Sequence, residues 1–139
     1  MAVLSPQVEI RKVIMKVIPH NAQRYNTVGD WFYNEENNTL WIFVSDMGNW
    51  KYHHLVSVHE QIEAFLCISR GIAEKQITLF DMNYEKQRAS GDLEYQGEPG
   101  DHKKAPYRKE HFFATSVERL FAAELGVDWE EYDKAVMAL

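Results

Sequence analysis

The apolar positions along this chain change period about a third of the way in. Residues 8–18 (VEIRKVIMKVI) are rich in β-branched side chains and alternate loosely, with Val8, Ile10, Ile14 and Ile18 on one parity, the pattern of a half-buried strand. Pro19 ends it, because proline offers no ladder donor. In 28–46 (VGDWFYNEENNTLWIFVSD), aromatic and branched residues flank Asn34-Glu35-Glu36-Asn37-Asn38. That predicts a hairpin whose asparagines accept turn geometry. Two or three antiparallel strands are therefore expected. From residue 53 the spacing is helical: 53–70 ends at Gly71, a second helix covers 74–88, and a third over 107–125 ends at Gly126, each glycine being a natural stop. Asp128 predicts the N-cap of a last short helix, with Glu130 and Glu131 at its positive end. Between the second and third helices, residues 89–106 (ASGDLEYQGEPGDHKKAP) form a loop rich in glycine, proline and charge, long enough to suggest a functional or mobile segment. Strands first and helices after predict a single α+β domain over 1–139, β-rich over 8–46 and helical over 53–139.

Composition narrows the function classes. With 139 residues, 45% of them apolar and 13% aromatic, the chain can bury a core and is not a disordered segment. No apolar run approaches the roughly 20 residues of a membrane helix, and the start (MAVLSPQVEI) lacks the basic-then-apolar layout of a leader. One cysteine, Cys67, excludes a disulfide framework and a cysteine-rich zinc site; it fits a reducing, cytoplasmic setting and reads as an inert core thiol. The formal charge of −6, with one interrupted basic cluster at Lys103, Lys104, Arg108 and Lys109, argues against nucleic acid as a partner. A homo-oligomer stays open. No nucleophile elbow, phosphate-binding glycine loop or dinucleotide fingerprint is present. Trp31, Trp41 and Trp50 read as core or sheet-face residues, and His53 and His54 as the start of the first helix or the turn before it.

The chemistry concentrates on that helix, in Val58-His59-Glu60-Gln61-Ile62-Glu63-Ala64-Phe65-Leu66. His59 and Glu63, four apart, share a face and can share a metal ion, while Glu60 lies about 100° round, placed to act on a metal-bound water. The string resembles the His-Glu-x-x-His helix of zinc-dependent metallopeptidases (zincins). The resemblance implies a zinc ligand at His59 and a water-activating base at Glu60. Glu63 stands where that family has its second histidine, a departure that widens the metal choice to zinc, manganese or iron. The competing reading makes His59, Glu60, Glu63 and Arg70 a solvated face, with Ser57-x-x-Glu60 a capping box.

A second half of the site is readable on the third helix. His111 and Glu118 lie seven apart, almost eclipsed, with Thr115 and Ala122 beside them and an apolar stripe of Phe113, Val117, Leu120 and Phe121 on the next face. Facing the motif helix, they would give a divalent site of His59, Glu63, His111 and Glu118, with Glu118 as fourth ligand or just behind. Left to themselves, His111 and Glu118 would instead pair with neighbouring charges in water. In the long loop, Asp101 and His102 are candidates to complete or cover the site, and Arg108 to hold an anionic substrate group. Thr78-x-x-Asp81 looks like a capping pair. If Asp81 and Glu85 point inward instead, Glu60, Glu63, Asp81 and Glu85 resemble the acidic helices of all-α nucleotide pyrophosphohydrolases, which implies magnesium-dependent nucleotide hydrolysis. Over its length the chain also resembles a set of uncharacterised bacterial and phage proteins sharing the His-Glu-x-x-Glu helix and the Glu-Pro-Gly-Asp…Ala-Pro-Tyr-Arg…Glu-His segment. That resemblance implies no assigned activity, and a non-enzymatic accessory protein is the third expectation.

Overall fold

The computed structural model describes residues 8–139; the opening segment read for a leader lies, up to residue 7, outside the described residues. Three strands, β1 (Lys12–Ile18), β2 (Gly29–Asn34) and β3 (Thr39–Ser45), precede four helices: α1 (Trp50–Ser69), α2 (Glu74–Ala89), α3 (Arg108–Glu124) and α4 (Trp129–Met137). The architecture is α+β, with the sheet in the N-terminal third. β2 and β3 form the expected antiparallel hairpin, Gly29 opposite Val44 and Asn34 opposite Thr39. Asn34 Oδ1 accepts from the Glu36 amide, and Asn38 takes φ 54°, a left-handed turn position that asparagine tolerates.

β1 departs from the expected antiparallel arrangement. It pairs parallel to β3, giving the order β1-β3-β2. The reason lies in residues 19–28, which cross the end of β3 instead of turning tightly. There His20 Nδ1 meets Ser45 Oγ at 2.9 Å, and the Gln23 amide donates to Phe43 O and Ser45 Oγ. A link of that length lets β3 insert between β1 and β2 as the central strand, with Leu40, Ile42 and Val44 inaccessible on one face and Trp41 and Phe43 half-buried on the other. β1 is left as a half-exposed edge that begins at Lys12, four residues later than the pattern suggested.

α1 lies between the sheet and α3. It starts at Trp50, with Asn49 Oδ1 capping the amides of Lys51 and Tyr52, so Ser57 and Glu60 are mid-helix and the capping-box reading fails. His53 and His54 fall in its first turns, and His53 Nε2 accepts from the Met47 amide. Trp31 is core and Trp41 covers a sheet face under Lys16, but Trp50 is exposed. Cys67 is fully buried, and burial pushes its thiol well up. One hydrophobic cluster runs from Trp31 and Leu40 through Leu55 and Ala64 to Tyr132 on α4, whose N-cap is Asp128 as expected. Among the described residues, no helix is long and apolar enough to cross a membrane.

Candidate metal centre

α1 is covered on two sides, yet its inward residues include two carboxylates. Glu60 and Glu63 are buried with Leu55, Val56, Ser57, Ala64 and Cys67. The solvated-face reading therefore fails. α3 turns its strip of ligand-type and small residues toward α1, the facing arrangement that the spacing of His111 and Glu118 allowed. Of its apolar stripe, Phe113 and Leu120 face outward at 55% and 70% exposure and Val117 and Phe121 are half-buried, while Glu110, His111, Ala114, Glu118 and Ala122 are buried. Small residues at Ala64, Ala114 and Ala122 let the two helices approach, and the polar strips meet between them.

Three atoms converge there. His59 Nε2 is 3.1 Å from Glu63 Oε2 and 3.1 Å from His111 Nδ1, and the last two are themselves 3.1 Å apart. Zinc bonds of about 2.0–2.1 Å at tetrahedral angles put neighbouring ligands about 3.3 Å apart, so this triangle has the dimensions of one coordination face. The outer nitrogen of each imidazole is also engaged. His59 Nδ1 lies 2.8 Å from Glu118 Oε1, and the Tyr132 hydroxyl donates to the other oxygen of Glu118. His111 Nε2 lies 3.0 Å from Glu98 Oε2 and 3.3 Å from Asp101 Oδ1. A carboxylate facing the outer nitrogen holds the proton there and leaves the inner lone pair for an ion. Both histidines thus have the same arrangement on separate elements. Glu118 stands behind His59 and not in the triangle. Glu118→Gln is expected to lower zinc affinity about tenfold with the fold intact, measured by competition with a chromophoric chelator; unchanged affinity would leave Glu118 without this role.

The electrostatics follow from the same contacts. Burial would raise the Glu63 carboxyl, but hydrogen bonds from His111 and His59 bring it down to about 2. Burial pushes both imidazoliums down, and the surrounding carboxylates more than reverse this: Glu118 and Glu63 raise His59 well above its ordinary value, and Asp101, Glu63 and Glu98 raise His111 to about 12. Three inward lone pairs at 3.1 Å need a positive charge among them, protons when no metal is bound.

Two glycines mark how closely the backbone is fitted. A Cβ on Gly100 would lie 2.3 Å from His111 Cγ and 2.5 Å from Nδ1, so the Glu98-Pro99-Gly100-Asp101 turn lies flat against the ring it hydrogen-bonds. A Cβ on Gly29 would fall 2.7 Å from Glu60 Cγ. Glu60 is 8% exposed and has no hydrogen-bond or ion-pair partner among the described residues; burial first, and then the Glu63 charge, raise its carboxyl well above the usual range. It lines, with His59, Glu63 and His111, a cavity of about 440 Å³. No protein-family model, curated protein or solved structure matches the chain. The donor set and its cavity are therefore the grounds for a function.

The other candidates fall outside the triangle. Asp101 is brought to His111, as above. His102 instead packs on Tyr95, with centroids 5.4 Å apart, pairs with Glu94 and orders the loop. Arg108 lies over the Phe112 ring on the outer surface and does not line the cavity. Asp81 points inward, mid-helix, accepting from the Tyr25 and Tyr107 hydroxyls, so it is not a cap. Glu85 pairs with Arg88. Sequence reasoning missed Glu98, Tyr25, Tyr107 and Tyr132. Glu98 and Tyr107 stand next to motifs already singled out, in Glu-Pro-Gly-Asp and one turn before His111, but nothing in the chain marks Tyr25 or Tyr132.

Proposed function

We propose that the chain is a divalent-metal protein with a zincin-like hydrolytic centre, in which His59, Glu63 and His111 are the ligands and Glu60 is the base. The observation that carries this is the triangle of 3.1 Å separations with both outer imidazole nitrogens tied to carboxylates. Two histidines and one carboxylate are a donor set used by catalytic zinc and by non-haem iron, with positions left open. A bound ion of this kind supplies Lewis acidity and lowers the pKa of a water molecule toward neutrality. The chain's own part is to hold the ligands rigidly through Glu118, Tyr132, Glu98 and Asp101, and to present a carboxylate for the proton. Glu60 suits that part: it is unpartnered, faces the cavity and has a raised proton affinity, the tuning a general base near neutral pH requires.

Magnesium-dependent nucleotide hydrolysis through Glu60, Glu63, Asp81 and Glu85 draws less support. Asp81 is held by two tyrosines, Glu85 by Arg88, and neither joins a group of three converging ligand atoms. An accessory protein would need no open cavity beside the triangle.

Elemental analysis of protein purified without added metal tests the proposal. Near-stoichiometric zinc, manganese or iron is expected in the wild type, and His59→Ala is expected to lower its content at least tenfold, since one of three bonds is lost. A wild-type protein that stays metal-free after supplementation, with an unchanged melting temperature, would overturn the proposal.

A further inference from the structure

The cavity beside the triangle has an uneven charge balance. Ten aspartates and glutamates line it against two arginines and three histidines. Some of these acids are met within the wall, Glu85 by Arg88 at 3.1 Å, Asp30 by Arg24 at 2.7 Å, and Glu63, Glu118, Glu98 and Asp101 by the two triangle histidines, which leaves the acidic groups in the majority. A divalent ion at the triangle removes only part of the excess. Walls of low dielectric concentrate such a field, which draws in cations and repels phosphate and carboxylate groups.

Within this field two buried carboxylates lack a counter-charge. Glu60, 8% exposed and unpartnered, faces the cavity beside the triangle. Asp81, also 8% exposed, receives the Tyr25 hydroxyl on one oxygen and the Tyr107 hydroxyl on the other, but no arginine, lysine or histidine ion-pairs with it among the described residues. Asp30, by contrast, is met by the Arg24 guanidinium at 2.7 and 2.9 Å. The fold thus neutralises one buried aspartate of this cavity and leaves another open. Two neutral donors fix the Asp81 carboxylate in place and leave one lone pair on each oxygen, the geometry that a forked cationic donor fills. Tyr107 links the two places, since its ring lies 6.1 Å from that of His111.

We propose that the cavity takes a cationic substrate, one whose protonated guanidinium or amine docks on Asp81 between Tyr25 and Tyr107 while its reacting bond lies at the His59–Glu63–His111 triangle. This deepens the hydrolase reading and rests on it for the reaction, though not for the binding. Asp81 is a recognition group here; Glu60 keeps its role toward water. Substrates of this class include short basic peptides and acylated polyamines, and a volume of about 440 Å³ accommodates a few residues of either. The same field disfavours nucleotides and acidic peptides.

The test uses N-butylguanidinium and its neutral isostere N-butylurea as probes, titrated calorimetrically into wild-type protein, Asp81→Asn and His59→Ala. The wild type is expected to bind the guanidinium at one site and the urea roughly tenfold more weakly, as fits a charge-assisted pair. Asp81→Asn is expected to abolish that preference, and a crystal structure of the wild-type complex to show the guanidinium on Asp81. Equal affinities, no binding of either probe, or a cation located away from Asp81 would each overturn the proposal, and the crystal structure decides even if Asp81→Asn fails to fold. His59→Ala separates the two readings. A variant without metal that still prefers the guanidinium leaves cation recognition standing without the metal centre. A metal-loaded wild type indifferent to charge leaves the metal centre standing alone.

Discussion

Gly100→Ala is expected to destabilise the metal-free protein by about 1–3 kcal/mol, the cost of an overpacked methyl group, and to weaken zinc binding on the order of 100-fold. The added carbon would lie 2.3–2.7 Å from three atoms of the His111 ring, one of them the ligand nitrogen Nδ1. Either the ring turns or the turn retreats. If the ring turns, Nδ1 leaves its 3.1 Å positions opposite His59 and Glu63; if the turn retreats, Glu98 and Asp101 leave Nε2 and the inner lone pair is no longer guaranteed. Displacing a ligand by about an ångström is enough for losses of this size. Chelator competition gives the affinity and urea unfolding the stability. Substitution at Gly91, whose Cβ position is open, carries a positive-φ cost that Gly100 does not have, makes no contact with the ring, and should leave zinc affinity unchanged. If Gly100→Ala and Gly91→Ala bind zinc equally, the turn does not position His111.

Glu60→Gln is expected to retain the metal, to lose about 10²–10⁴-fold in hydrolysis, and to gain stability. The gain is the more unusual result and needs no substrate. The Glu60 carboxyl is raised well above its ordinary 4.5 by burial and by Glu63, so the folded chain holds that proton more tightly than the unfolded chain. The stabilisation this supplies is present below pH 4.5 and is lost as pH rises through the folded value. The amide does not titrate, so Glu60→Gln and wild type should melt alike near pH 4 and diverge toward pH 8, with the variant ahead by on the order of 1–3 kcal/mol. Denaturant melts of the metal-free proteins at the two pH values measure this. A variant less stable than wild type at pH 8 would show that Glu60 is a structural carboxylate, contrary to the role of base.

How much was legible differs by element. The hairpin, the four helices and the caps at Gly71, Gly126 and Asp128 rest on local rules of turn residues and period, and they stand close to where those rules put them. The ligand-type residues of the triangle were legible too, because His59 and Glu63 at i and i+4 share a face whatever surrounds the helix. The direction of β1 was not, since it depends on where residues 19–28 travel. The exposure of Phe113 and Leu120 on α3 was not, because a helical wheel shows which residues share a face but not which face a neighbouring element covers.

Composition and spacing alone therefore determined an α+β chain whose clustered ligand-type residues are imidazoles and carboxylates, on the first and third helices. What they left open was which strip of each helix turns inward and which atoms meet. Tertiary packing decided both: α1 is covered by the sheet on one side and by α3 on the other, so His59, Glu60 and Glu63 are enclosed between them beside the cavity. Buried charges must be paired or hold an ion, and pairing across 48 to 59 residues of sequence, as between Glu63 and His111 or His59 and Glu118, is a property of the assembled fold that no local window of the chain contains.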